Sequence, residues 1–193
     1  MLWYDDRTIV TFLALLFIIC RAGVVRVAIS HNEVLRKENR SMAMEFGGTQ
    51  TIAAPVPQVW AFLMDVNNVA ECAPGFQSLE VLGDEHWKAT ISVGVGPVKA
   101  RFVMDVTRPE VQEPEHMLVK GRGKAPGSAV DLSGDMRLSA LSENETQMDW
   151  KANVVVSGTI ASVGARLLNG TADRLTAQFF ETMKKKIQTP TEE

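Results

Sequence analysis

The sequence is short of several things, and each shortage excludes a class of function. Its two cysteines, Cys20 and Cys72, sit in unlike contexts with no paired spacing, so neither a disulfide scaffold nor a metal knuckle is indicated, and the usage fits a reducing compartment. Histidine is scarce, with three in 193 residues. His86 and His116 stand beside acidic residues where strands are expected to begin, the pattern of surface-loop histidines. Positive charge is also short. Residues 1–43 carry six Lys or Arg against four Asp or Glu, a net +2, while the rest carries fourteen against nineteen, a net −5. An acidic main domain lacks the basic face that phosphate binding needs, which excludes nucleic acid as the partner. No glycine-rich phosphate loop precedes a helix, because Gly94 to Pro97 joins two expected strands. Asp65, Glu71, Asp105 and Asp131 have no metal-ligand rhythm and are expected to be solvated. Cys72 has no histidine partner that would make it a nucleophile. The catalytic and metal assignments are therefore both none.

A long hydrophobic run is missing too. The longest, Ile9 to Cys20, has twelve residues, interrupted by Thr11 and closed by Arg21. As a helix it spans about 18 Å against a hydrocarbon core of about 30 Å. Asp5 and Asp6 precede it and no clear small-x-small site follows, which suits a secretory signal poorly. Residues 1–43 form an N-terminal extension, an apolar segment followed by the polar linker Ser30 to Arg40. Three readings stay open for it: a membrane anchor, a signal sequence, or an upstream extension of the reading frame with Met42 or Met44 as the working start.

What is present is a globular pattern from Met44 onward, with 46% apolar residues in the whole chain, enough for a core. The expected domain is 44–187, followed by a tail at 188–193. A first strand is expected over Phe46 to Ala54, stopped by Pro55 and Pro57. Short helices are expected over Gln58 to Val66 and Asn67 to Cys72. Six strands then follow, over Gln77 to Leu82, Trp87 to Val93, Val98 to Thr107, His116 to Gly123, Ala129 to Leu141 and Thr146 to Val156. The alternation of Lys99 and Arg101 with Val98, Ala100 and Phe102 marks one wet and one buried face. The chain closes with a helix over Ile160 to Ile187, whose stripe Ile160, Val163, Leu167, Leu168, Leu175, Phe179 and Met183 returns to one face at 3.6 residues per turn. Gly164 and Gly170 fall inside it, each costing about 1 kcal/mol relative to alanine. They are expected to mark close approach of a guest or strand, with alanine at either stabilising the helix and narrowing the space beneath. The fold class is α+β: a curved seven-stranded antiparallel sheet wrapped around one long C-terminal helix, enclosing a pocket.

The apolar residues outnumber any polar candidate for function. Trp60, Leu63, Ile91, Val93, Phe102, Met104, Met117, Val119, Met136, Leu138, Trp150, Gly164, Leu167, Leu168 and Leu175 are the candidate cavity-lining set. Singly each is explained as core, and together they favour an apolar guest in a cup that has no charge except at its rim. The methionines suit a flexible isoprenoid or acyl chain. Gly94, Gly96 and Pro97 in the hairpin, and Lys184, Lys185 and Lys186 at the helix end, are candidates for contact with a partner protein or a membrane surface.

Several stretches also match a known family. They are Ile52-Ala53-Ala54-Pro55 leading to Val59-Trp60, then Cys72-Ala73-Pro74-Gly75, the run from Val93 through Gly94-Val95-Gly96-Pro97 to Phe102, and Gly121-Arg122-Gly123. The last is Gly164 to Gly170 with Gln178-Phe179-Phe180. Over about 145 residues the chain resembles the CoxG family of carbon monoxide dehydrogenase subunits, within the START-like (SRPBCC) helix-grip superfamily. The resemblance implies a non-catalytic accessory protein of an aerobic molybdenum hydroxylase such as carbon monoxide dehydrogenase. It implies a cytoplasmic protein peripheral to or anchored at the inner membrane, holding no tight cofactor but a quinone or other lipid. The alternatives are an assembly or recruitment factor with an incidental cavity and, further off, a cyclase or hydrolase of the wider superfamily.

Overall fold

Backbone hydrogen bonds of one extended segment after another go to the next in sequence, and this is what builds the sheet. The computed structural model describes residues 41–188. The expectations for the apolar N-terminal segment and for the last residues of the tail lie outside the described residues. Seven strands follow one another as β1 (Ser41–Ile52), β2 (Phe76–Gly83), β3 (His86–Val95), β4 (Val98–Gln112), β5 (His116–Ala125), β6 (Ser128–Ser142) and β7 (Glu145–Gly158). Every pairing is antiparallel, and the spatial order is β1-β7-β6-β5-β4-β3-β2. Only β1 is out of sequence, closing against the last strand. The expected seven-stranded antiparallel sheet with a long C-terminal helix is the fold observed.

Two short helices connect β1 to β2. In α1 (Val56–Met64) proline sits in the first turn, where a missing N–H costs nothing. In α2 (Val66–Cys72) Asp65 is the N-cap, accepting from the backbone N–H of Asn67 at 2.9 Å and of Asn68 at 3.4 Å. Gly75 follows at φ +81, where a Cβ would stand 2.0 Å from the Ser92 carbonyl oxygen, so only glycine fits the turn into β2.

Three boundaries differ from expectation, each for a physical reason. β1 starts by Ser41, and Ser41, Met42 and Ala43, assigned above to the extension, pair with Ser157, Val156 and Val155. β4 runs on to Gln112, past the expected end at Thr107, because a register shift between Thr107 and Glu110 breaks the alternation without ending the strand. The terminal helix does not begin at Ile160. Thr159–Val163 is a 3-10 turn, Gly164 at φ +92 breaks the path, and α3 spans Ala165–Gln188. At 24 residues α3 is about 36 Å long.

The interior divides in two. One cluster gathers Ile52, Val59, Trp60, Leu63, Met117, Leu138 and Met148 under Phe180, Met183 and Ile187 of α3. The other gathers Val95, Phe102, Met104 and Val156 around Ile160, Ala161 and Leu168 at the opposite end of the helix. The helix is thus held at both ends, and its middle lies between two cores.

Candidate functional site

Between the two clusters the sheet presents a row of small and half-buried residues. Leu132, Met136 and Leu138 of β6 pack into the clusters, and strand alternation places Gly134 on that same inner face. Its neighbours in register are Val119 on β5 and Ala152 on β7, and Ala152 faces Phe46 on β1. A Cβ built on Gly134 meets no atom within 4 Å. Phe46, Val119 and Ala152, and on α3 Ala172, Leu175 and Phe179, are all only half-buried. Close-packed interiors bury apolar groups that face inward, so their exposure marks an open gap beneath the middle of the helix. Beside it, Trp150 packs on Phe180 with ring centroids 5.2 Å apart, and its indole Nε1 is buried without an acceptor, as is that of Trp60. A buried donor without a partner costs about 1–3 kcal/mol.

The candidate cavity set falls unevenly around this gap. Trp60, Leu63, Met117 and Leu138 are buried in the first cluster, and Phe102, Met104 and Leu168 in the second. Val119, Met136 and Trp150 border the first and Ile91 and Val93 the second, all half-buried, and Leu175 is half-buried on the helix. Leu167 departs from the expected stripe: it is 45% exposed, because at about 100° per residue it points away from the face of α3 that buries Leu168, Phe180, Met183 and Ile187. Its Cδ1 stands 3.2 Å from where a Cβ on Gly96 would be, so it leans on the exposed hairpin Gly94, Gly96 and Pro97. Arg174 Nη2 donates to the Gly94 carbonyl at 3.4 Å. Gly164 precedes the helix and exposed Gly170 has no neighbour within 4 Å of a built Cβ. Neither marks a close approach.

Charge is also arranged differently from expectation. Arg108, absent from the sequence candidates, is 6% exposed on the inner side of β4. Its Nε donates to Glu85 Oε2 at 2.5 Å, its Nη1 lies 3.4 Å from the Leu63 carbonyl, and it stacks 5.5 Å from the Trp87 ring. The buried layer therefore holds a paired charge beyond the rim. Its signal in the sequence was the interruption of β4 alternation at Arg108-Pro109. His116, read as a loop histidine, is 4% exposed, with Nε2 2.9 Å from Asp135 Oδ2 and Nδ1 3.6 Å from Glu110 Oε1. Asp105 pairs with His86 at 3.0 Å and Asp131 with Arg122 at 2.9 Å.

The three lysines at the helix end each have a different side-chain partner. Lys184 donates to Gln50 Oε1 at 2.8 Å, Lys185 to Glu181 Oε1 at 2.8 Å, and Lys186 to Glu71. Lys185 lowers the Glu181 carboxyl by hydrogen bond and charge. Cys72 is 2% exposed and its Sγ lies 3.2 Å from the Asn68 carbonyl oxygen. Burial pushes the thiol up, with a smaller opposing effect of Lys186, the reverse of what a nucleophile needs. An open groove of about 500 Å³ runs past it between Ala73–Phe76 and the α3 residues Gln178, Glu181, Thr182 and Lys185. Apart from Lys185, no residue singled out as a binding candidate lines that groove.

The family model for CoxG, a subunit of carbon monoxide dehydrogenase, matches residues 48–188. The chain belongs to the CoxG family. Among solved structures, a conserved protein from Geobacillus kaustophilus is 27% identical with a TM-score of 0.70, covering 75% of this chain and 95% of that one. The ZhuI aromatase/cyclase from Streptomyces sp. R1128 aligns at 19% identity and TM-score 0.58, over 76% and 94% of the two chains. A START superfamily protein from Mycobacterium smegmatis aligns at 10% and 0.56, over 75% and 97%. These last two carry the fold alone, which is START-like. No curated protein matches the chain. Among the described residues, no helix is long and apolar enough to cross a membrane.

Proposed function

We propose that the protein is a non-catalytic accessory factor of a molybdenum hydroxylase of the carbon monoxide dehydrogenase type. In this reading it holds a lipophilic molecule, a quinone being the best fit, beneath α3 and links the enzyme to the membrane. The observation that carries this is the uncharged gap over Gly134, lined by half-buried Phe46, Val119, Ala152 and Leu175. An apolar gap of this kind favours an apolar occupant. The family adds the enzyme class. Full-length protein isolated from membranes of cells making the enzyme should yield such a lipid on solvent extraction, at near one per chain. Protein that is repeatedly empty, and takes up no added quinone, refutes the carrier role.

A recruitment factor with an incidental gap is the second reading, favoured by exposed Leu167 against the bare hairpin at Gly96. Leu167→Asp separates the two. Loss of enzyme capture with lipid retained supports recruitment through that hairpin, while unchanged capture rules this surface out.

A further inference from the structure

The two outer strands of the sheet are built differently. β2 meets β3 through two register shifts, between Phe76 and Ser78 and between Val81 and Gly83, an irregular form that discourages recruitment of another strand. β1 is regular: all twelve residues from Ser41 to Ile52 pair with β7 without a shift. It carries one charge, Glu45, and no proline. Among the described residues no strand pairs with its outer edge. A long, regular, weakly charged edge is a template for pairing.

Two consecutive glycines in β1 expose what lies behind it. The Lys151 stem crosses Gly47, with its Cγ 3.5 Å from the position of a built Cβ, and the Trp150 ring lies 3.5–3.8 Å from the corresponding position on Gly48. The edge thus offers a cation on the outer face and an indole on the inner face.

A second copy of β1 fits these features in one register. Antiparallel pairing about a two-fold axis must keep Met42, Met44 and Phe46 on the inner face of both copies. An axis at Glu45 opposes the two glutamates. An axis at Gly47 sets Glu45 across from Thr49, whose hydroxyl holds Asp149 at 2.6 Å, bringing acid toward acid. An axis at Phe46 sets Glu45 across from Gly47 of the copy, where its carboxylate reaches Lys151 of that copy. The same axis sets Met44 across from Gly48, where it meets the Trp150 ring of the copy, a favourable sulfur–aromatic contact. Phe46 then faces its own equivalent, an aromatic cross-strand pair. We propose that the protein forms a two-fold dimer by antiparallel pairing of β1 with β1 of a second copy, centred on Phe46, joining the two sheets into one.

In this register exposed Ala43 and Thr49 stand opposite each other. The full chain carrying both Ala43→Cys and Thr49→Cys should cross-link to a dimer under mild oxidation, while either single variant and the pair Ala43→Cys with Thr51→Cys should not. Circular dichroism confirms the fold of each. Glu45→Lys should weaken the dimer by about tenfold or more in sedimentation, as close interfacial charge pairs do, and adding Lys151→Glu in the same chain should restore it. A wild-type monomer overturns the proposal, whether the edge is bare or covered by residues 1–40. So does cross-linking indifferent to register, or a dimer that ignores the charge exchange.

Discussion

Replacing Gly134 by valine puts an isopropyl group into the gap beneath α3, and the sign of the outcome separates an open site from a filled one. A glycine in a strand interior costs about 0.5–1 kcal/mol in backbone entropy. Gly134 has no positive φ to protect and nothing within 4 Å of a built Cβ, so valine enters without a clash. Burying a valine side chain fully contributes about 1.5–3 kcal/mol, and about half of that in a region whose lining is half-buried. The sum is a stabilisation of about 1.3–2.5 kcal/mol, or about 3–10 °C in Tm for a domain of this size. Gly123 is the contrast. There a Cβ would stand 2.3 Å from Met104 Sδ and 2.6 Å from Val130 Cγ1, and alanine should destabilise by about 1–3 kcal/mol through overpacking. Thermal unfolding of both variants, with lipid extraction of the first, is the assay. Gly134→Val should melt higher and lose its lipid. A lower Tm shows that the space is already filled, and a higher Tm with lipid retained moves the guest elsewhere.

The other expectations are simpler. Gly164→Ala should destabilise by about 1–2 kcal/mol, because φ +92 is strained for any side chain. Gly170→Ala, on the exposed helix surface, should stabilise by about 1 kcal/mol. Urea titration of the two should give shifts of opposite sign. Met183, fully buried in the first cluster, should lose about 2–5 kcal/mol on replacement by alanine, measured in the same way. Cys72 has its thiol raised by burial, so the unfolded chain ionises first as pH climbs. Its contribution is complete below the ordinary thiol range near about 8.5 and declines above it. Native Cys72 should react with iodoacetamide far more slowly than the unfolded chain at about pH 8, near the ordinary thiol range, and equal rates would contradict the burial.

Element order, strand count and the long amphipathic helix were legible in the residues alone, because alternation and 3.6-residue periodicity are local consequences of where apolar side chains fall. Repeated turn residues also placed most strand ends to within a few positions. Local pattern could not decide which inward-facing residues are packed and which stand over open space. Leu168 and Leu175 share one stripe, yet the first is buried and the second half-buried, a difference made by what the sheet places opposite. Gly134 was invisible for the same reason: a glycine in a strand acquires meaning only when Val119 and Ala152 line up beside it. Arg108 entered the interior because Glu85 and the end of α1 came to meet it, partners more than twenty residues away. Periodicity assigns a residue to a face, whereas its neighbours come from the folded chain, and burial, pairing and open space are properties of neighbours.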